Sequence, residues 1–217
     1  MPTMEDMMIA PPAPGVGVHP ADYFDTPGPV ELEIGCGKGG FLLERARQFP
    51  ERRFLGLEWA NKYYKYAADR MARWGVTNVR LMRTDARNFV VAHCAAESLA
   101  ALHVYHPDPW PKKRHHKRRL FQADFVAAVV RVLQPGGRLA VQTDHAEYFE
   151  WIHRLLVPHP ELVQVDFEHP EFVPPGATPR TNYEVKYTRE GRTIYRVAYL
   201  KTSAAMVGWP TSFRGGE

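Results

Sequence analysis

Val30-Glu31-Leu32-Glu33-Ile34-Gly35-Cys36-Gly37-Lys38-Gly39-Gly40 sets a short strand directly against a run of glycines. The glycines let the backbone turn tightly and approach a ligand. Gly35, Gly37 and Gly40 match the spacing of a dinucleotide fingerprint, and Glu58 follows 18 residues after Gly40. Strand, glycine turn and helix in that order open a doubly wound fold, where ligands bind at the carboxyl ends of the strands. The spacing alone suits NAD as well as any other nucleoside cofactor.

The chain on either side supports that start. Phe41 to Phe49 has helical spacing, Phe54 to Leu57 reads as a strand, and Asn61 is placed to cap a helix with Tyr63, Ala67, Met71 and Trp74 on its apolar face. Val79 to Met82, Leu102 to Tyr105 and Leu139 to Thr143 are further strands. Phe89 to Cys94, Leu120 to Leu133 and Tyr148 to Val157 are the intervening helices, the second stopped by Pro135-Gly136-Gly137. Strands alternating with helices predict an α/β fold, a mostly parallel sheet covered on both faces. Val163 to Phe167 and Thr193 to Leu200 read as two strands with no clear helix between them, so an antiparallel C-terminal edge is expected. Residues 1–27 read as a flexible N-terminal extension, 28–202 as one catalytic domain and 203–217 as a tail.

Acids at strand ends choose between cofactors. Glu33 sits beside the glycine loop, where a carboxylate would repel the pyrophosphate of NAD. S-adenosylmethionine has no phosphate and carries an ammonium group that a carboxylate attracts. Glu58 ends the second strand, placed to accept from ribose hydroxyls, and Asp85 ends the third, placed to accept from the adenine amino group. Either Glu33 or Asp85 alone would pass as a surface cap; three acids at successive strand ends suit a phosphate-free cationic nucleoside.

Charge points to a second, anionic partner. Of 28 basic residues, Lys112, Lys113, Arg114, Lys117, Arg118 and Arg119 fall in one short run without an acid; without them 22 basic residues face 24 acidic ones. The net charge of +4 therefore comes from one segment, a focused patch for an anion such as RNA. Apolar runs are too short to span a membrane. No basic-then-apolar leader opens the chain, and Cys36 and Cys94 lack metal-type spacing, so a cytoplasmic protein without a structural metal is expected.

In chain order, Leu32 to Gly39, Gly56-Leu57-Glu58, Thr84-Asp85-Ala86, the run His106 to Leu120 (HPDPWPKKRHHKRRL), Gln142-Thr143-Asp144 and Thr181-Asn182-Tyr183-Glu184 resemble the bacterial tRNA (guanine-N7)-methyltransferases. The resemblance covers Val30 to Lys201. The Asp108 to Arg119 stretch is specific to that family, whereas the glycine loop is common to most class I methyltransferases. The resemblance implies a Rossmann-like class I fold and methyl transfer from S-adenosylmethionine to N7 of guanosine 46 in the tRNA variable loop. It implies that Glu33, Gly35, Gly37, Glu58 and Asp85 bind the cofactor and that Asp108 lies at the cofactor–substrate junction. It also implies that Lys112, Asp144, Thr181, Asn182, Tyr183 and Glu184 contact the substrate. Family members often carry a basic N-terminal arm, whereas residues 1–29 here contain no Lys or Arg. Either a monomer or a homodimer is compatible.

The chemistry fits these residues. Guanine N7 is a bare lone pair, so alignment matters more than a base. The product base is cationic, and Asp108, held between Pro107 and Pro109, is the candidate catalytic carboxylate that stabilises it. Telling guanine from adenine requires acceptors for N1–H and the exocyclic amine, roles open to Asp144 and Glu184 with help from Thr181. Trp110 or Tyr183 can stack on the base, although Trp110 equally suits a core anchor. Lys113, Arg114, Lys117 and Arg118 would grip phosphates, and His115 and His116 would contact phosphate or solvent. Two rivals remain: an exocyclic amino methyltransferase, although Asp108-Pro109-Trp110 lacks its second proline, and an RNA-binding module that does not bind the cofactor.

Overall fold

The structure is a computed structural model that describes residues 1–168 and 182–202, with only the backbone given for residues 182–185. One eight-stranded sheet organises it, in the order β1-β4-β3-β2-β5-β6-β8-β7. The strands are β1 (Met8–Ile9), β2 (Val30–Ile34), β3 (Arg53–Glu58), β4 (Val79–Arg83), β5 (Leu99–Tyr105), β6 (Leu133–Thr143), β7 (Leu162–Val165) and β8 (Tyr195–Lys201). All pairings from β1 to β6 are parallel, and β8 runs antiparallel to both β6 and β7. The helices are α1 (Met4–Met7), α2 (Gly40–Gln48), α3 (Asn61–Arg73), α4 (Ala86–Asn88, continued by one π turn), α5 (Ala123–Val132), α6 (Ala146–Leu156) and α7 (Asn182–Arg189).

Register makes the two faces of the sheet chemically different. Leu32, Leu55, Leu102, Leu139 and Tyr199 lie side by side across five strands, as do Ile34, Leu57, Val104, Val141 and Val197. Side chains alternate along a strand, so these rows share one face. They pack with α5 and α6 through Phe125, Val129, Tyr148 and Ile152 into the larger core. The opposite face is apolar only under α2 and α3, where Phe54, Leu81, Leu42, Ala67 and Met71 meet. Over β2, β5 and β6 it carries Glu31, Glu33, His103, Arg138 and Gln142, all buried. Buried charge needs partners or a ligand, and this polar strip leads to the cleft.

Four expectations are corrected. Residues 1–27 are not a loose extension throughout: Thr3 and Asp6 form a capping box on α1, Met7 is buried, and β1 pairs with β4 at the sheet edge. A two-residue strand is too short to show alternation, so the prolines and glycines dominated the reading. Asn61 is the first residue of α3, not its cap, and the buried face is Tyr64, Ala67, Ala68 and Met71, with Tyr63 and Trp74 exposed. Pro135-Gly136-Gly137 lies inside β6, which starts at Leu133 directly after α5. Helix α7 occupies part of the stretch read as helix-free; its eight residues between Pro- and Gly-rich flanks give too little periodicity to see.

Candidate active site

The carboxyl ends of β2 to β6 open into a cleft with two lobes of about 390 and 780 Å³ that share Gly35, Gly37, Tyr63 and Tyr105. The smaller lobe is floored by Glu33 and walled by Phe41, Lys38 and Lys186. The larger holds Glu58, Asp85, Asp108, Trp110 and Asp144. Seven residues anticipated for the site, Glu33, Gly35, Gly37, Glu58, Asp85, Asp108 and Asp144, thus line one cleft. Arg118 lines it as well, while Lys112, Lys113, Arg114 and Lys117 are exposed outside it. Thr181 lies outside the described residues, as do the side chains of Asn182, Tyr183 and Glu184 in the first turn of α7.

In the smaller lobe, Gly35 and Gly37 adopt φ of 71° and 55°, conformations that side chains rarely tolerate. The turn frees the Gly37 amide to donate to Glu58 Oε2 at 2.8 Å, while the Ala60 amide donates to Oε1 at 2.7 Å. Glu58 therefore stiffens the loop. Asp85 is exposed and its Oδ1 accepts from the Asn88 amide at 2.9 Å, so it caps α4 at the rim of the cleft. Glu33 differs from both. It is 3% exposed and its Oε2 has no hydrogen-bond partner. Burial, helped by the nearby Glu58 charge, pushes its carboxyl up to about 8. A buried acceptor without a donor, opening onto a cavity, fits a cationic ligand group.

Beneath it lies a hydrogen-bonded chain that sequence reading missed. Arg45 and Arg52 both donate to Glu31, and His103 Nε2 lies 2.8 Å from Glu31 Oε2. Burial alone would raise Glu31, but His103 and Arg45 hold it well below the usual carboxylate range. Burial also lowers His103 to about 4, so its ring is neutral at pH 7. An ionised Glu31 only accepts, so the His103 proton sits on Nε2 and Nδ1 becomes an acceptor. The Tyr105 hydroxyl, 2.9 Å away, must then donate to Nδ1. Its oxygen is left with lone pairs only, the polarity of Glu33.

In the larger lobe, His106 and Trp110 have φ of 52° and 42° and bracket Pro107-Asp108-Pro109. Two side-chain-bearing residues in the left-handed region cost about 1–3 kcal/mol each. Arg119 holds the turn in place. It is 1% exposed, donates through Nε to the Pro109 carbonyl at 2.8 Å, pairs with Glu147 and lies over Tyr148 and Trp151. The last cation of the basic run is thus a strut, and the exposed patch is Lys112, Lys113, Arg114, Lys117 and Arg118. His116 also packs inward, edge-on to Trp151. Trp110 is no core anchor: it lines the cleft, with Arg118 5.0 Å above its ring. Asp108 is exposed, and no group among the described residues hydrogen-bonds its carboxylate. Asp144 is occupied instead. Arg192 Nη1 donates to it at 2.8 Å, which outweighs burial and lowers its carboxyl, and His106 Nδ1 lies 3.6 Å away.

A family model described as "Putative methyltransferase" matches residues 27–197. A tRNA (guanine-N(7)-)-methyltransferase from Alkalilimnicola ehrlichii is 38% identical over 178 residues, 82% of this chain and 75% of the relative. One from Geobacter metallireducens is 34% identical over 197 residues, 85% of this chain and 89% of the relative. The chain belongs to the tRNA (guanine-N(7)-)-methyltransferase family. Among solved structures, a SAM-dependent O-methyltransferase from Thermotoga maritima superposes with a TM-score of 0.54 at 18% identity, covering 81% of this chain and 60% of that one, a likeness of fold.

Within this family member the motifs found by sequence supply the cleft's acids, and Arg119 anchors the turn that carries one of them, Asp108. Arg119, Glu31, His103 and Tyr105 are set by pairings across strands and turns, such as Glu33 opposite His103 on neighbouring strands. Lys186, Tyr187 and Arg192 reach the cleft from α7 and the turn after it. A buried His two residues before a Tyr, on a strand beside two alternating Glu, was the available signal.

Proposed function

We propose that this chain is a cytoplasmic enzyme that transfers a methyl group from S-adenosylmethionine to N7 of guanosine 46 in the tRNA variable loop. The observation that carries the reading is the unpartnered Glu33 oxygen in one lobe, joined to a lobe that holds exposed Asp108 beside a cationic rim. Glu33, in the lobe that Tyr105 also lines, suits the ammonium of the cofactor; Glu58 and Asp85 suit its ribose and adenine. When bound, the cofactor supplies a methyl on a sulfonium sulfur, and the carbon–sulfur pair stays with sulfur as N7 donates its own lone pair.

The chain's residues then align and stabilise. N7 carries no proton, so no general base is needed. Asp108 offers its carboxylate to the positive charge arriving on the imidazole ring, and Trp110 offers a stacking face. Asp144 and the 181–184 segment read the guanine edge, which requires Arg192 to give up Asp144 to the base. Lys112, Lys113, Arg114, Lys117 and Arg118 hold phosphates. The names of the relatives support tRNA and N7.

The test is transfer of labelled methyl to unmodified tRNA, followed by nucleoside analysis. Label in 7-methylguanosine, lost when guanosine 46 is replaced, is expected. Label in a methylated adenine or cytosine would overturn the reading in favour of an exocyclic amino methyltransferase, and no cofactor binding would favour a non-catalytic RNA-binding module.

A further inference from the structure

Helix α3 is amphipathic in an unusual sense. Its inner face, Tyr64, Ala67, Ala68 and Met71, closes on the smaller core. Its outer face should be polar, yet Tyr63, Tyr66 and Trp74 stand there, 37%, 41% and 55% exposed, and Trp59, in the turn before the helix, is 68% exposed. No other Phe, Tyr or Trp among the described residues is exposed. Positions 63, 66, 70 and 74 recur at helical spacing and form one stripe, with Arg70 in the gap. The helix is about 20 Å long by its rise per residue.

Three of the four rings are backed by a cation. Lys38 and Arg70 lie 5.6 and 5.5 Å from the Tyr66 centroid, Arg47 lies 4.8 Å from Trp74, and Arg83 lies 6.0 Å from Trp59. Lys62, Lys65 and Arg73 add exposed charge, and the one acid between 59 and 74, Asp69, is paired with Arg73. The stripe is continuous with the cleft, because Trp59 and Tyr63 line its larger lobe.

We propose that this face of α3 is a second RNA-binding surface, a stacking platform for unpaired tRNA nucleotides that run outward from the cleft. Flat rings interleaved with cations are what single-stranded nucleic acid requires: bases stack on the rings and phosphates meet the cations. A protein partner would not require cations behind three of the four rings. The inference rests on tRNA being the substrate, and it adds contacts outside the 112–118 rim.

The test compares wild-type protein with Tyr66→Ala/Trp74→Ala and Tyr66→Phe/Trp74→Phe, positions outside the cleft lining. Binding of unmodified tRNA should weaken at least about tenfold in the alanine pair and recover in the phenylalanine pair, because stacking needs only a ring. Turnover at saturating tRNA and affinity for S-adenosylmethionine should not change. Lys62→Gln/Lys65→Gln should flatten the salt dependence of tRNA binding by roughly 0.7 per lost phosphate contact, whereas the alanine pair should leave the slope intact. Unchanged tRNA affinity in the alanine pair would overturn the proposal. A change in sedimentation without a change in tRNA affinity would make the stripe a protein interface instead. If wild-type protein methylates no tRNA, the functional reading fails; if it does and the variants bind normally, only this surface fails.

Discussion

Glu33, near the end of β2, and Asp108, in the turn after the neighbouring β5, open onto one cleft, but the fold treats them oppositely. Glu33 is buried, lacks a donor, and is held up to about 8 by burial and Glu58. Asp108 is exposed on a turn fixed by two prolines, two left-handed residues and the Arg119 strut. Under the proposed function, the two carboxylates divide labour. A group that arrives already charged is best met by a desolvated acid, whose attraction is undiluted by water. A charge that appears only during reaction is best met by an acid held in place by its backbone, which needs no rearrangement as the charge forms.

The largest effect is expected from Asp108→Ala. It should lower kcat by about 10²–10³, the scale for loss of one preorganised charge contact, while tRNA affinity in a binding assay stays put. Collapse of tRNA binding would assign Asp108 to the RNA grip. Glu33→Gln should act on the other side: affinity for S-adenosylmethionine should fall by about 10–100-fold, the scale of a lost charged hydrogen bond, with kcat at saturating cofactor much less affected. An equal loss in kcat would erase the division of labour. Tyr105→Phe should weaken cofactor binding by less, about fivefold to tenfold for a neutral acceptor, and unchanged affinity would show that its oxygen faces no ligand donor.

Glu33 also carries a stability signature. Its folded pKa of about 8 lies above the unfolded value of 4.5, so between those limits the folded state binds more protons and stability falls as pH rises. Glu33→Gln should therefore unfold at a higher temperature than wild type above pH 8 and at the same temperature near pH 4. A difference in unfolding temperature that does not grow with pH would mean that the carboxyl is not desolvated. Smaller again, changing Lys112, Arg114 and Arg118 together to Gln should flatten the salt slope of tRNA binding by roughly 2–3, and an unchanged slope would move the RNA grip elsewhere.

The order of strands and helices from β2 to β6, the antiparallel edge and the cleft-lining acids were legible in the sequence because each rests on local pattern: alternation, glycine spacing, proline turns. The Glu31–His103–Tyr105 chain was not, because it depends on which strands are neighbours, and β2 pairs directly with β5 although β3 and β4 lie between them in sequence. Arg119 was misread for a related reason: charge runs look uniform in sequence, and only the fold shows that one member turns inward to Glu147. The aromatic stripe on α3 was taken in part for a core face, since periodicity locates a stripe without saying which side is wet.

The most direct measurement is calorimetric titration of S-adenosylmethionine at pH 7 in two buffers of different ionisation enthalpy. Glu33 must lose its proton to receive an ammonium, so wild-type protein should release about one proton per cofactor bound, and Glu33→Gln should release none. Binding heats independent of buffer in the wild type would contradict the account.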